Sequence, residues 1–325
     1  MTAPVKHVWI ALGLVYVLWG STYFGIKIAV ETIPPLIAAG SRFAFAALIL
    51  AAILALRGVS LRISRAQLLG AGIAGGLMLG FGVGLVHVAE TRIDSSVAAM
   101  IAGTVPLQII VLRLLASESP ARATRLSTLA GLAGLLLVVA PGLGSGSTAL
   151  GLAIMVSSTI AWSTGSFLSN KVTLPRDPFV ATAWEMAIGG ALLMIGAAAF
   201  GEYGDLGAKT ITLDSTLAWA YLVVMGSLVG FSAYAWLLRV APISLVVTHQ
   251  YVNPLVAIAL GVLFLGERPS AWTLAGAALI IAAVYVAIKS EFPRRSSPSE
   301  TRRPAPAGSR PSRTESVVAG VLDRA

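Results

Sequence analysis

Apolar residues run along this chain in long blocks broken by short polar separators. A helix rises about 1.5 Å per residue, so roughly 20 apolar residues suffice to cross a bilayer core. Ten such blocks are legible, at residues 8–30, 34–56, 67–88, 95–115, 125–141, 149–171, 179–200, 214–238, 244–265 and 271–289. The separators carry turn and charge signals, among them "ETIPP", "RGVSLRISR", "SESPARATR", "PGLGSGS", "VTLPRDP" and "RVAPIS". Most are short, which predicts antiparallel neighbours. The opening "MTAPVKHVWIALGLVYVLWG" superficially resembles a signal peptide. Its apolar stretch is too long for one and no small-x-small cleavage site follows, so it reads as the first span. From Ser290 the pattern stops, and a Pro-, Ser- and Arg-rich stretch to Ala325 predicts a disordered basic cytoplasmic tail, residues 290–325.

Composition agrees with the pattern. Hydrophobic residues make up 57% of the chain and charged ones 11%, against roughly 45–50% and about 25% in a soluble domain. The fold class predicted is all-α integral membrane with ten transmembrane helices. The absence of cysteine excludes disulfides and thiolate chemistry. The net charge of +9 is spread over short loops and the tail rather than one face, which argues against nucleic acid as a partner and for membrane lipids. With the N-terminus in the cytoplasm, inner separators hold Lys6, Arg57, Arg62, Arg65, Arg113, Arg122, Arg125, Lys171, Arg176 and Arg239. Outer ones hold only Arg92, Lys209 and Arg268. That imbalance predicts both termini inside.

The chain also repeats itself. Displaced by 143 residues, Trp19 falls on Trp162, Phe24 on Phe167, Pro35 on Pro178 and Arg42 on Glu185. Displaced by 148, Ser96 falls on Ser244 and Pro106 on Pro254. Two homologous halves follow, residues 1–146 and 147–289, each of five spans. Five is odd, so the second half enters the membrane from the opposite side. Such inverted-topology repeats are the common ground plan of secondary transporters, with the solute site at the interface between the repeats.

Pro106 in "GTVPLQI" and Pro254 in "YVNPLVA" then read as paired mid-membrane helix breaks. Each would free the carbonyl one turn back, of Ala102 or Gln250, toward protein or a wet cavity. Gln108, Gln250, Tyr251 and Asn253 flank them as polar candidates; the alternative is that the prolines only kink helices for packing. Trp19 and Trp162 lie mid-span rather than in the interfacial belts tryptophan prefers. They could line an aromatic cavity with Tyr23, Tyr234 and Tyr251, or simply pack. Arg42 and Glu185 are costly inside a span and so suspect. Arg42 suits a carboxylate or a pairing with Glu90. Glu185 suits a proton carrier or a structural role. His249 is a cavity hydrogen-bonder or a packed histidine, and Lys27 is expected to snorkel to the outer surface. Gly72, Gly76, Gly80 and Gly84 form a strip suited to close helix approach. No convergent ligands suggest a metal, and no cofactor is expected. "GAGIAG" satisfies a dinucleotide fingerprint but lies inside a membrane helix without a βαβ context.

Four stretches, "WGSTYFGIKIAVETIPPLIAAGSRFAFA", "VAETRIDSSVAAMIAGTVPL", "STIAWSTGSFLSNKVTLP" and "THQYVNPLVAIALGVLFLGE", resemble the EamA family of the drug/metabolite transporter superfamily. "WGSTYF…PPL…AG.RF" and "YVNP" are similar to its YedA-like branch. The resemblance covers about residues 8–289 and leaves out the tail. It implies ten helices in two inverted EamA repeats and export of a small metabolite, such as an amino acid or related compound, or a drug, across the cytoplasmic membrane. The competing classes are an integral membrane enzyme or receptor, which would need a catalytic constellation, and a passive channel.

Overall fold

The computed structural model describes residues 5–93, 98, 101–139, 148–206, 210–253, 255–256 and 271–291. Expectations for Ser96, the separator 141–147, Lys209, Pro254, Arg268 and the tail from 292 lie outside the described residues. The described elements are helices: α1 Val5–Thr32, α2 Pro35–Leu56, α3 Arg65–Glu90, α4 Val105–Leu115, α5 Arg122–Val139, α6 Ala149–Leu168, α7 Pro178–Ala199, α8 Leu213–Val240 and α9 Ala271–Glu291. One-turn helices stand at Glu202–Asp205 and Ile243–Val246. Six of these helices, α1, α2, α3, α6, α7 and α8, are long and apolar enough to cross a membrane, so the chain is a multi-pass membrane protein. Their ends fall within about three residues of the expected spans. For the other four expected spans the described residues give the 11-residue α4, the 18-residue α5, the stretch 243–256 and α9.

Helix ends follow from local sequence. At α3, Ser64 Oγ accepts from the Gln67 N–H at 3.2 Å and Gln67 Oε1 accepts from the Ser64 N–H at 2.8 Å, a reciprocal capping box. Thr148 and Thr212 cap α6 and α8 with side-chain oxygens. α2 begins with Pro34 and Pro35 and has no local side-chain cap. The Glu202 carboxylate supplies it from a distant segment, accepting from Leu36 N at 2.9 Å and Ile37 N at 3.0 Å. Beyond α2, Gly58 adopts φ +71° and its N–H and that of Val59 return to Ala55 and Leu54, a left-handed stop that a side chain would strain.

α2 packs along α7 and α5 along α9, while α1 lies against α8 and α3 against α6. α3 and α8 each contain a π-helical stretch, Gly76–Val83 and Leu222–Phe231. The wider turn leaves carbonyls that other helices use. Ser158 of α6 donates to Gly82 O at 2.8 Å, and Trp19 Nε1 of α1 donates to Gly226 O at 3.1 Å. Large apolar side chains such as Val17, Leu48, Leu126 and Ile195 are exposed, as suits a lipid-facing flank.

The expected glycine strip is only partly a backbone contact. A Cβ at Gly72 would meet nothing within 4 Å, and at Gly76 and Gly80 only the Leu192 side chain and, at the limit of contact, one backbone oxygen. The tight backbone approaches on α3 are Gly70 against the Thr173 backbone and Gly75 against the Glu185 backbone, where an added Cβ would lie 2.6 Å from Glu185 Cα, while Gly84 of the strip is crowded by the Leu193 side chain.

Candidate functional site

Where α1, α2, α3, α6 and α8 converge on the segment 249–253, they leave a cavity of about 80 Å³, room for several waters. Of the residues expected at a solute site, Trp19, Tyr23, Arg42, Trp162, Gln250 and Asn253 line it. Both proposed halves therefore contribute walls.

Arg42 is 4% exposed and is the only charged side chain among the lining residues described. Its Nε donates to Ser227 Oγ at 3.0 Å, and its guanidinium carbon sits 4.7 Å from the Phe43 ring centroid. Ser227 lies on the π-helical stretch of α8. One guanidinium nitrogen, Nη1, has no hydrogen-bond partner. The expected pairing with Glu90 is absent: Glu90 is fully buried and both its carboxylate oxygens lack hydrogen-bond partners. Lys27 is exposed, as expected of a snorkelling lysine, and donates to the Glu90 backbone carbonyl at 2.9 Å.

One end of the cavity is an aromatic cluster. Trp19 lies 5.3 Å from Trp162, 4.9 Å from Tyr234 and 5.0 Å from His249, centroid to centroid. Edge-on and tilted contacts of this kind suit ring quadrupoles. Tyr234 is fully buried and its hydroxyl pairs with Ser166 Oγ at 2.8 Å. Gln250 and Asn253, also in the lining, are buried with the oxygens Oε1 and Oδ1 unpartnered.

The remaining candidates stand elsewhere. Pro106 does not interrupt a helix interior. It sits in the first turn of α4, where a missing N–H costs little, and the break precedes it at Gly103–Thr104. The same local geometry recurs at Val247–Thr248: Thr104 and Thr248 hydroxyls each donate to the carbonyl three residues back, of Ile101 and Leu245. Gln108 is a brace rather than a free ligand, donating to Thr104 and Thr159 at 3.0 Å each and accepting from Ser163 at 2.7 Å. His249 belongs to the aromatic cluster, with Nδ1 on Val246 O at 2.9 Å and Nε2 unpartnered. Tyr251 points away: its hydroxyl donates to Thr128 O at 2.9 Å and its ring covers Gly131, because the α5–α9 pair draws it to the other side of its helix. Glu185 is 2% exposed, with Oε2 unpartnered beside a chamber of about 10 Å³ shared with Ser169 and Arg239. It does not reach the cavity, since its helix position faces α3 at Gly75.

Sequence reading missed Thr22, Ser158, Thr159 and Ser227, small polar residues inside apolar blocks that lack any motif. Their one signal is that a hydroxyl in a lipid-spanning run must find a carbonyl or a wet surface. At the end of the bundle that carries the Arg113 and Lys171 separators, Glu118 binds both, Arg113 Nε at 3.0 Å and Lys171 Nζ at 2.9 Å, and Arg113 also reaches Ser244. The Lys171 hydrogen bond leads in holding the Glu118 carboxyl below its ordinary value. Burial pushes Glu202 the other way, despite its two backbone N–H partners. Among the described residues no three His, Asp or Glu side chains converge as a metal site would need.

Comparisons with known proteins agree with this architecture. The EamA-like transporter family profile matches residues 7–140 and 149–289. The uncharacterized inner membrane transporter YedA of Escherichia coli K12 is 38% identical over 88% of this chain and 92% of its own length. A probable amino-acid metabolite efflux pump of Salmonella typhimurium is 26% identical over 84% of this chain and 92% of its own. A solved crystal structure, 20% identical, superposes with a TM-score of 0.70 over 89% of this chain and 98% of that one, a likeness of fold.

Proposed function

The chain belongs to the EamA-like transporter family, and from that premise we propose that it exports a small metabolite by alternating access, holding the solute between its two halves. It is a secondary transporter and not an enzyme. In this reading it sits in the cytoplasmic membrane with both termini inside, residues 1–146 and 147–289 forming inverted five-helix repeats. The name of the Salmonella relative makes an amino acid or related compound the first solute to try.

One observation carries the reading: a cavity bounded by helices of both halves, closed at one end by Trp19 against its repeat mate Trp162. Further features support the duplication. Exchanging α1 with α6, α2 with α7, α3 with α8 and α5 with α9 maps the α2–α7 and α5–α9 pairings onto themselves and interchanges α1–α8 with α3–α6. The π-helical stretches start at Gly76 and Leu222, and the carbonyls they lend, Gly82 and Gly226, are 144 positions apart. A structure that maps onto itself in this way can invert which end is open at little energetic cost. In the proposed orientation the cavity lies toward the outer face and the aromatic cluster, with the Glu118 ion pairs beneath it, closes the inner end.

The test is flux in proteoliposomes loaded with candidate solutes, chosen by comparing the media of overexpressing and deletion cells. Saturable uptake accelerated by solute on the far side is expected. Flux that rises linearly with concentration would indicate a pore, and no solute difference or flux with any candidate would remove the proposal's support.

A further inference from the structure

The cavity's polar atoms are unevenly matched, and the mismatch describes its ligand. A buried guanidinium is costly unless its charge is met and its N–H groups are paired. Arg42 lines the cavity and is fixed on two sides, by Ser227 at Nε and by the Phe43 face, while its buried Nη1 has no hydrogen-bond partner. No carboxylate among the described residues answers it: Glu90 leaves both oxygens unpaired, and Glu185 lies in a separate chamber. Gln250 and Asn253 line the same cavity, and their buried oxygens Oε1 and Oδ1 have no donors. The rest of the lining is mostly aromatic or aliphatic, with Trp19, Trp162 and Tyr23 the largest, apart from the hydroxyls of Thr22, Ser158 and Thr159.

We infer that Arg42 is the anion site of the transport cavity, and that the solute is a small organic monocarboxylate carrying at least one N–H or O–H donor and an apolar body. This rests on the transporter reading and narrows its solute. A single guanidinium in a low-dielectric cavity neutralises one negative charge; a dianion such as a phosphate monoester would keep an uncompensated charge there. Planar, forked N–H groups also match a carboxylate's two oxygens better than they match an isolated hydroxyl or amide. The amide oxygens take the donor, so the two ends of the solute are told apart and its orientation is fixed. Ser227 is a positioning residue that acts through Arg42.

The experiment uses the full chain in nanodiscs, with binding read by thermal shift and calorimetry. The probes are the proteinogenic amino acids, each set against its carboxamide, which keeps the body and the amine and removes the negative charge. At least one carboxylate should bind, with its carboxamide weaker by roughly tenfold or more. Arg42→Gln should abolish that preference, Arg42→Lys should keep part of it, and Ser227→Ala should weaken it several-fold without removing the charge. Ser227→Ala also keeps the inference testable should Arg42→Gln fail to fold. No binding by any carboxylate, equal binding of acid and amide, or unchanged preference in both Arg42→Gln and Ser227→Ala would each overturn the assignment. Proteoliposome flux separates the two claims. Saturable, acid-indifferent transport would keep the transporter reading and sink the anion site; acid-selective binding without flux would do the reverse.

Discussion

α2 and α7 are the same helix written twice. Each has 22 residues, starts on a proline, carries a buried ionisable residue at its eighth position and stops at a left-handed glycine, Gly58 or Gly201. They also pack against each other, with a Cβ at Gly190 only 3.0 Å from the Gly40 carbonyl and the Ala44 nitrogen. Yet Arg42 opens on a cavity, whereas Glu185 faces a chamber about large enough for one water. α7 is capped by its own Asp177, whereas α2 borrows Glu202 from a distant segment. Backbone signals copy faithfully, because proline and glycine act within a few residues. Charge and capping are free to diverge, because each answers to whatever tertiary surroundings its copy meets.

The severest way to break the comparison is at the crossing itself. Gly190→Val should cost upwards of about 1–3 kcal/mol, since its side chain would meet backbone atoms that cannot move aside. Gly72→Ala, in open space, should be neutral or slightly stabilising; thermal unfolding in detergent reads both. The caps come next. Each carboxylate accepts two N–H groups, but Glu202 is buried and its bonds are 2.9 and 3.0 Å, against 2.8 and 3.3 Å for the less buried Asp177. Glu202→Ala should therefore cost about 1–2 kcal/mol, compared with about 1 kcal/mol for Asp177→Ala on α7. Equal losses would mean that the borrowed cap is no stronger than the local one.

A pH series sharpens this difference. Burial raises Glu202 above its ordinary value of 4.5, so the folded state holds that proton more tightly than the unfolded chain does. Its contribution is full below the unfolded value and is lost as pH rises through the folded one. Melting temperature should therefore fall on going upward from about pH 4.5 in the native chain relative to Glu202→Gln, whose amide keeps an acceptor without titrating. A flat difference would remove Glu202 as the titrating group.

The smallest effect belongs to Glu118, whose carboxyl is held low by Lys171 and Arg113. Its pairs are full above the ordinary carboxylate value and lost as pH falls through the lowered one. They are solvent-exposed, so Glu118→Gln should change stability by less than about 1 kcal/mol. It should still quicken labelling of a cysteine placed at Ser169, next to the Glu185 chamber, if the ion pairs help to hold that end shut. The absence of native cysteines makes this readout clean.

Much of the fold was legible beforehand. Long apolar blocks and the turn and charge signals between them marked six membrane helices to within a turn, because a bilayer demands that every backbone group be satisfied inside its own segment. The site was legible in part. Trp19, Arg42 and Trp162 stood out as residue types at the wrong depth, and they do line the cavity. Tyr251 and Gln108 carried the same polar signal but are consumed by Thr128 and by Thr159 and Ser163. Pro106 was read as a break, but the turn before it does the breaking. The glycine strip was legible in part: Gly76, Gly80 and Gly84 do face α7, whereas Gly72 meets open space.

The sequence by itself determined that the chain crosses the membrane several times, where six of its long apolar helices lie, and which few residues are unusually polar within them. These are consequences of solvation and backbone geometry, which act on each segment alone. Tertiary structure alone decided which of those residues share a space, since rotation about a helix axis by a fraction of a turn carries a side chain from a cavity to a neighbour's backbone. Arg42 and Glu185 occupy matching positions on matching helices. Only the packing around them set Arg42, without an ion-pair partner among the described residues, at a cavity of about 80 Å³ and Glu185 at a chamber of about 10 Å³ shared with Arg239.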